Sequence, residues 1–306
     1  MAGRDSVPPV IATVVRGVEL RDRLDSERSR GHRIGFVPTM GSLHRGHAEL
    51  IRTAAAHTDV VVVSVFVNPL QFGAGEDLDA YPRDPAGDRD VAEAAGAAVM
   101  FAPTEVEMYP HGREAVLTTV AVPRLAAVME GASRPTHFAG VCTVVAKLWN
   151  LVGPCRAYFG EKDFQQLAIL RRMAADLSFP VDVVGCPTVR EPDGLALSSR
   201  NAYLSAEERA VAPVLHRALS LGAEAILAGT SDAGTVRRLM AETIDAAPLG
   251  RLDYVEVAHG DTLQPLTVAT EDARLFGAVR FGRARLIDNV GVTPSSTDTD
   301  PGPRRP

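Results

Sequence analysis

Along most of the chain, short apolar runs alternate with longer stretches in which apolar positions recur every three or four residues. The runs at 34–37, 60–67, 97–101, 157–159 and 181–184 are apolar nearly throughout, broken by Ser64 and Asp182, rather than at every second position. A strand covered on one face alternates, whereas a strand covered on both does not, so these runs predict parallel strands in the middle of a sheet. Helical spacing occupies 48–57, 89–95, 141–151 and 164–177. Strand–helix alternation of this kind predicts an α/β fold, a Rossmann-like doubly wound parallel sheet that takes ligands beyond the carboxyl ends of its strands.

The pattern changes after about residue 188. Ser205-Ala206-Glu207-Glu208 has the form of a capping box and opens Ala-rich helical stretches at 206–228 and 234–246. Alternating strands at 253–257 and 275–281 follow. Helices followed by strands predict a smaller C-terminal α+β domain, which divides the chain into residues 1–188, 189–292 and a polar, Pro-rich tail at 293–306 expected to be disordered. Residues 1–9 are expected to be loose, and a cleft between the two domains is a favoured place for a ligand.

Composition narrows the function. The chain has 306 residues, 46% of them hydrophobic and 23% charged, ordinary for a soluble globular protein. With 32 basic against 38 acidic residues the net charge is −6, which argues against a nucleic-acid coat or a basic membrane-surface protein. Cys142, Cys155 and Cys186 are widely spaced and contain no CxxC pair, the usage of a reducing cytoplasm. The N-terminus lacks the basic-then-apolar form of a signal peptide, and the run at 60–67 is too short to cross a bilayer.

Candidate chemistry sits where predicted strands hand over to helices. Met40-Gly41-Ser42-Leu43-His44-Arg45-Gly46-His47 follows the strand at 34–37 and opens a helix. Backbone N–H groups at a helix start suit an anion such as phosphate, and imidazoles three residues apart reach one ligand. No third ligand at a helpful spacing supports a metal reading of the two histidines. Asn68 and Gln71 follow the strand at 60–67 and carry amides able to hold a carboxylate and hydroxyls. Gly160-Glu161-Lys162-Asp163 follows the strand at 157–159, where Lys162 neutralises phosphate charge and Asp163 caps a helix or meets ribose hydroxyls. Leu197-Ser198-Ser199-Arg200, close to Gly194, reads as a phosphate clamp able to move. Together these pieces describe an ATP site beside a small polar pocket.

The blocks PTMGSLHRGH, VSVFVNPLQFGAGEDLDAYPRD, RPTHFAGVCTVVAKL, FGEKDFQQL and PTVREPDGLALSSRNAYLS closely resemble the pantoate–β-alanine ligase family, in the family's order and across most of residues 34 to 205. That family lies in the nucleotidyltransferase superfamily with HIGH- and KMSKS-type signatures. The resemblance implies ATP-dependent condensation of (R)-pantoate with β-alanine through a pantoyl adenylate, releasing AMP and pyrophosphate. It also implies Mg²⁺ and a cytoplasmic homodimer working without nucleic acid or membrane. By position, Met40 to His47 match the ATP loop, with His47 in the proton-donor place and His44 and Lys162 beside it. Gln71 and Gln166 match the pantoate glutamines, Gln71 being shared with β-alanine. Gly160 to Asp163, Val189, and Leu197 to Arg200 match further ATP contacts. Leu197 stands where many members carry Met, a volume-conserving exchange. The metal ligands are left unassigned, Asp88 and Asp90 lying in a variable stretch.

Two other readings share these features. A nucleotidyltransferase acting on a phosphorylated acceptor would want extra Arg or Lys where this chain offers Asn68, Gln71 and Gln166. A non-catalytic nucleotide sensor could use the same fold but has no need of transition-state groups. Small size and negative charge disfavour an aminoacyl-tRNA synthetase.

Overall fold

The computed structural model describes residues 11–73 and 78–293. The N-terminal segment expected to be loose, residues 74–77 and the tail from 294 expected to be disordered lie outside the described residues. The chain divides into two compact units, Met1–Pro192 with Ala196–Ser199, and Asp193–Leu195 with Arg200–Pro306.

The first unit is built on six strands, β1 (Ala12–Val14), β2 (Ile34–Thr39), β3 (Val60–Val65), β4 (Val99–Phe101), β5 (Cys155–Gly160) and β6 (Val181–Cys186). Their order is β1-β4-β3-β2-β5-β6, and every pairing is parallel. Helices α1 (Gly17–Ser29), α2 (Arg45–His57), α3 (Pro85–Ala94), α4 (His137–Val152) and α5 (Phe164–Asp176) make the long connections. The chain runs outward from β2 through β3 to β4, then returns to place β5 on the other side of β2. The sheet therefore reverses its winding between β2 and β5, and the loops leaving these two neighbours open a crevice.

The central strands are apolar on both faces because both faces are covered. Phe36, Val37, Val62 and Val63 are completely buried. Ile51 and Ala54 of α2 and Ala92 of α3 pack on one face of the sheet with Val61, Val63 and Met100. Trp149 of α4 is buried and meets Phe159 and Phe179 edge-on, with centroids 6.5 and 5.2 Å away. Such pairs add to the area term with about 0.5–1.5 kcal/mol each.

The second unit holds α6 (Ala206–Val211), α7 (Val214–Leu227), α8 (Ala233–Asp245) and an antiparallel sheet of β7 (Gly250–His259), β8 (Ala273–Phe281) and β9 (Ala284–Gly291). Its core joins Leu215, Leu219, Met240 and Ile244 to Val257, Leu275 and Val279. The stretch 206–228 reads as one helix in sequence but is two, interrupted before Val214, where Pro213 has no N–H to continue the ladder. Ala206–Leu227 has membrane-spanning length, and its most apolar window has a mean hydropathy of 1.3 and is 44% buried within the protein. The three cysteines are buried free thiols, and burial pushes each up to about 12, so they remain protonated.

Candidate active site at the sheet reversal

The loop between β2 and α2 is a capping box made of imidazoles. His44 is the N-cap, and its Nδ1 accepts the Gly46 N–H at 3.1 Å. Nδ1 of His47, three residues on, accepts the His44 N–H at 3.2 Å. The rings lie 4.1 Å apart, centroid to centroid. A backbone N–H can only donate, so each Nδ1 carries the lone pair and the proton of each neutral ring resides on Nε2. Desolvation lowers the pKa of both rings. The His44 ring beside it helps take His47 to about 3, and Lys162 helps lower His44. Both are neutral at pH 7, each with Nε2–H as its donor.

The sequence predicts backbone N–H groups open to phosphate, but most of this loop's are used internally. Gly41 N–H donates to Thr39 Oγ1 at 3.2 Å. Ser42 and Leu43 N–H donate to the two carboxylate oxygens of Asp88, at 3.1 and 2.6 Å. The loop turns through positive φ at both Gly41 (84°) and Ser42 (53°), and a Cβ on Gly41 would lie 2.8 Å from Asp88. Asp88, on α3 and 2% exposed, holds this strained turn. Its pKa is raised, chiefly by burial and against the pull of those two N–H bonds. With the N–H groups of Gly41, Ser42, Leu43, His44 and Gly46 committed within the protein, the imidazole Nε2–H groups are among the donors this loop retains.

The β3 loop brings Asn68 and Gln71 to the same edge. All four hydrogen-bonding positions of Asn68 are spent inside the protein. Oδ1 accepts from the Tyr109 hydroxyl at 2.7 Å and Leu70 N–H at 3.3 Å; Nδ2 donates to Gly140 O at 3.2 Å and Gln71 Oε1 at 3.1 Å. Asn68 is 1% exposed, so its amide is committed to neighbouring protein groups rather than offered at the surface. Gln71 is the amide turned toward the β2 loop, its Nε2 2.8 Å from Met40 Sδ. Its backbone carbonyl accepts from Arg134 at 3.3 Å and lies 2.9 Å from His137 Nδ1.

After β5, Gly160 leads into Glu161–Asp163, a turn of 3-10 helix, and then α5. Lys162 Nζ is 3.6 Å from Asp163 Oδ1. The charges of Lys162 and Asp163 act on both His44 and His47, which ties the β5 loop electrostatically to the β2 loop. The first turn of α5 separates two glutamines. Gln165 is buried and anchors Leu125, Val128 and Glu130 through their backbones, whereas Gln166, one position on, is half-buried.

Within the first unit, Leu197 N–H donates to Val189 O at 2.9 Å, and Arg190 and Ala196 form an antiparallel bridge between them. This hairpin lies against the start of α2. Arg45 meets Glu191 at 3.0 Å, and a Cβ on Gly46 would lie 3.8 Å from Leu197. Ser198 and Ser199 continue in this unit, and Arg200 begins the next stretch of the second. Sequence reasoning does not single out Tyr109, Gly140 or Thr39, and it leaves Asp88 without a role. Their partners are mostly distant along the chain, so no local pattern marks them.

A parallel sheet with imidazole, ammonium and carboxamide groups gathered where its winding reverses defines a doubly wound α/β protein of the nucleotide-handling class. The profile of the pantoate-beta-alanine ligase family matches residues 12–291, and the chain belongs to that family. It is 54% identical over 275 residues to pantothenate synthetase of Pseudomonas fluorescens (strain SBW25), covering 90% of this chain and 96% of that one. A crystal structure of pantothenate synthetase from Thermus thermophilus superposes with a TM-score of 0.87 at 52% identity, covering 93% of this chain and 100% of that one. A pantoate-beta-alanine ligase from Francisella tularensis, complexed with beta-gamma ATP and beta-alanine, has a TM-score of 0.74 at 32% identity, covering 92% and 98%.

Proposed function

We propose that the protein condenses (R)-pantoate with β-alanine at the expense of ATP, releasing AMP and pyrophosphate. The observation that carries this reading is the meeting of two neutral imidazoles with the Lys162 charge at the ends of adjacent strands, beside the Gln71 amide. Family membership names the reaction, and this geometry supports the following roles for the chain's residues.

A carboxylate resists an amine because its carbonyl is resonance-stabilised and oxide is a poor leaving group. Transfer of AMP onto it supplies a good one. The pantoate carboxylate is ionised at pH 7 and attacks the α-phosphorus without a side-chain base, so catalysis consists of positioning and charge stabilisation. His44 and His47 donate Nε2–H to phosphate oxygens, and Lys162 offsets the negative charge there. Gln71 and Gln166 hold pantoate. Gly160 to Asp163, Val189, Leu197, Ser198, Ser199 and Arg200 complete the ATP contacts. The β-alanine amine then attacks the acyl carbon of the pantoyl adenylate and AMP leaves.

Mg²⁺ belongs to this reading as a companion of the ATP phosphates. Among the described residues no three His, Cys, Asp or Glu side chains cluster as a metal site, and Asp88 is committed to the β2 loop. A cation that keeps its waters and binds through phosphate oxygens suits such a chain. The reading extends to a homodimer in the cytoplasm.

The test is to mix the protein with ATP, (R)-pantoate and β-alanine and to measure AMP and pantothenate. ATP–pyrophosphate exchange that depends on pantoate alone isolates the first half-reaction. Exchange without pantoate, or no AMP with all three reactants, overturns the proposal.

A further inference from the structure

The groups behind Gln71 decide which end of its side chain faces the ligand. Two backbone groups settle Asn68: Leu70 N–H can only donate, so the atom it meets is Oδ1, and Gly140 C=O can only accept, so the atom it meets is Nδ2. Tyr109, a buried phenol whose pKa burial raises, must then donate its proton to Oδ1. The second N–H of Nδ2 is left for Gln71, which has to present Oε1 inward. Its Nε2 is thereby turned outward, toward Met40 in the β2 loop. Sulfur is a weak acceptor, so a ligand oxygen displaces it readily.

We propose that Tyr109 is a positioning residue that acts through Asn68 to hold Gln71 as a donor, so that the pocket accepts an oxygen of the hydroxy acid and rejects an N–H or ammonium group at that place. This rests on the reading of Gln71 as a pantoate ligand. It goes beyond that reading by assigning the polarity of the contact and a side chain, Tyr109, that steadies the amide transmitting it. A free glutamine offers either end of its amide; this one is held through Asn68, which Leu70 N–H and Gly140 C=O orient and which the Tyr109 hydroxyl, 41 positions away in sequence, ties in place. An analogue with a protonated ammonium in place of the hydroxyl facing Gln71 brings donor against donor, and the buried N–H groups go unpaired.

The experiment is a double-mutant cycle. Tyr109→Phe removes the hydroxyl alone, and we expect the KM for pantoate to rise by about tenfold, the scale of one buried hydrogen bond, with the KM for ATP unchanged. In a Gln71→Ala background the same change should have no further effect on pantoate KM. Gln71→Glu, which offers no donor, should bind pantoate more weakly than Gln71→Ala. A stability effect of Tyr109→Phe without a change in pantoate KM overturns the proposal, as does an equal effect in both backgrounds. If wild-type protein forms no AMP with pantoate, the functional reading fails first; if it does and the cycle is additive, only the role of Tyr109 falls.

Discussion

Asp88 accepts the backbone N–H of Leu43 at 2.6 Å, and with its other oxygen that of Ser42 at 3.1 Å. One carboxylate thus shapes the turn from which both imidazoles project. An amide cannot replace it, because Asn accepts with one atom and opposes the second N–H with its own donor. Asp88→Asn should therefore lower the rate of pantoate-dependent pyrophosphate exchange by about tenfold or more, the scale of a misplaced catalytic donor. The effect on stability runs differently. Burial raises the Asp88 pKa above its ordinary 3.8, so the folded state favours the protonated acid and the ionised form costs stability at pH 7. In Asp88→Asn the lost N–H bond and the relieved cost of a buried charge oppose each other, so we expect activity to fall with only a small change in melting temperature. As pH falls through the raised pKa, wild-type activity should decline before the fold does, because protonation here stabilises the folded state. A variant with full activity would remove Asp88 from the loop's support.

In the proposed reaction the two imidazoles, both with lowered pKa, serve as neutral donors. The pH profile of the adenylation half-reaction should accordingly show no ionisation at the ordinary histidine value of 6.5. For stability the sign is that of a depressed base. Between pH 6.5 and about 3 the unfolded chain holds a proton on His47 that the folded chain refuses, so acid removes stability across that window. Denaturant unfolding at neutral pH and at about pH 5 should show wild type losing more stability on acidification than His47→Gln. His47→Ala and Lys162→Ala should each slow adenylation by about 10²-fold or more. Wild-type turnover in either variant would contradict the assigned roles.

Gly160 offers a test that separates the ligand from the fold. A Cβ placed there meets nothing within 4 Å, and its φ of −73° suits any residue. The protein's own packing gives no reason for glycine at this point. Gly160→Ala should keep or slightly raise the melting temperature, since Ala restricts the unfolded chain. If ATP passes close to the β5 backbone, the added methyl group should raise the KM for ATP by about tenfold or more. An unchanged KM for ATP would place the nucleotide away from Gly160.

How far the sequence disclosed this arrangement depends on the range of the interaction. The apolar runs around Phe36, Val62 and Ala157 announced the parallel sheet, because burial on both faces leaves its mark residue by residue, whereas β6, at the edge and half-exposed, carries Asp182 within its run. β1 spans three residues and α1 buries little beyond Leu20 and Leu24, so neither carried enough pattern to be read. β9 escaped because Arg285 and Asp288 interrupt its apolar positions. In the site, His44 and His47 were legible because a cap is a local device. Asp88 reaches a loop 45 positions away and Tyr109 an amide 41 away, and such pairings leave no periodicity in the chain. Asn68 stood out as an amide at a strand end, but the sequence does not say that its hydrogen bonds go to Tyr109, Leu70, Gly140 and Gln71.

Gly140 makes the last test, because it lets α4 approach the Gln71 segment. A Cβ there would lie 2.2 Å from Leu70 O and 2.6 Å from Gln71 N, both backbone atoms that cannot swing aside. The same glycine supplies the carbonyl that orients Asn68. Gly140→Ala should push the segment away from the helix at a cost of about 1–3 kcal/mol, the range for overpacking, read as a lowered denaturant midpoint. The displacement should move Gln71 and Asn68 together, so pantoate KM should rise while ATP KM, which the proposed reading assigns to the β2 and β5 loops, changes less. Loss of stability with pantoate KM intact would mean that Gln71 does not depend on this contact, whereas a variant unchanged in both would show that α4 and the β3 loop are less tightly opposed than their backbones indicate.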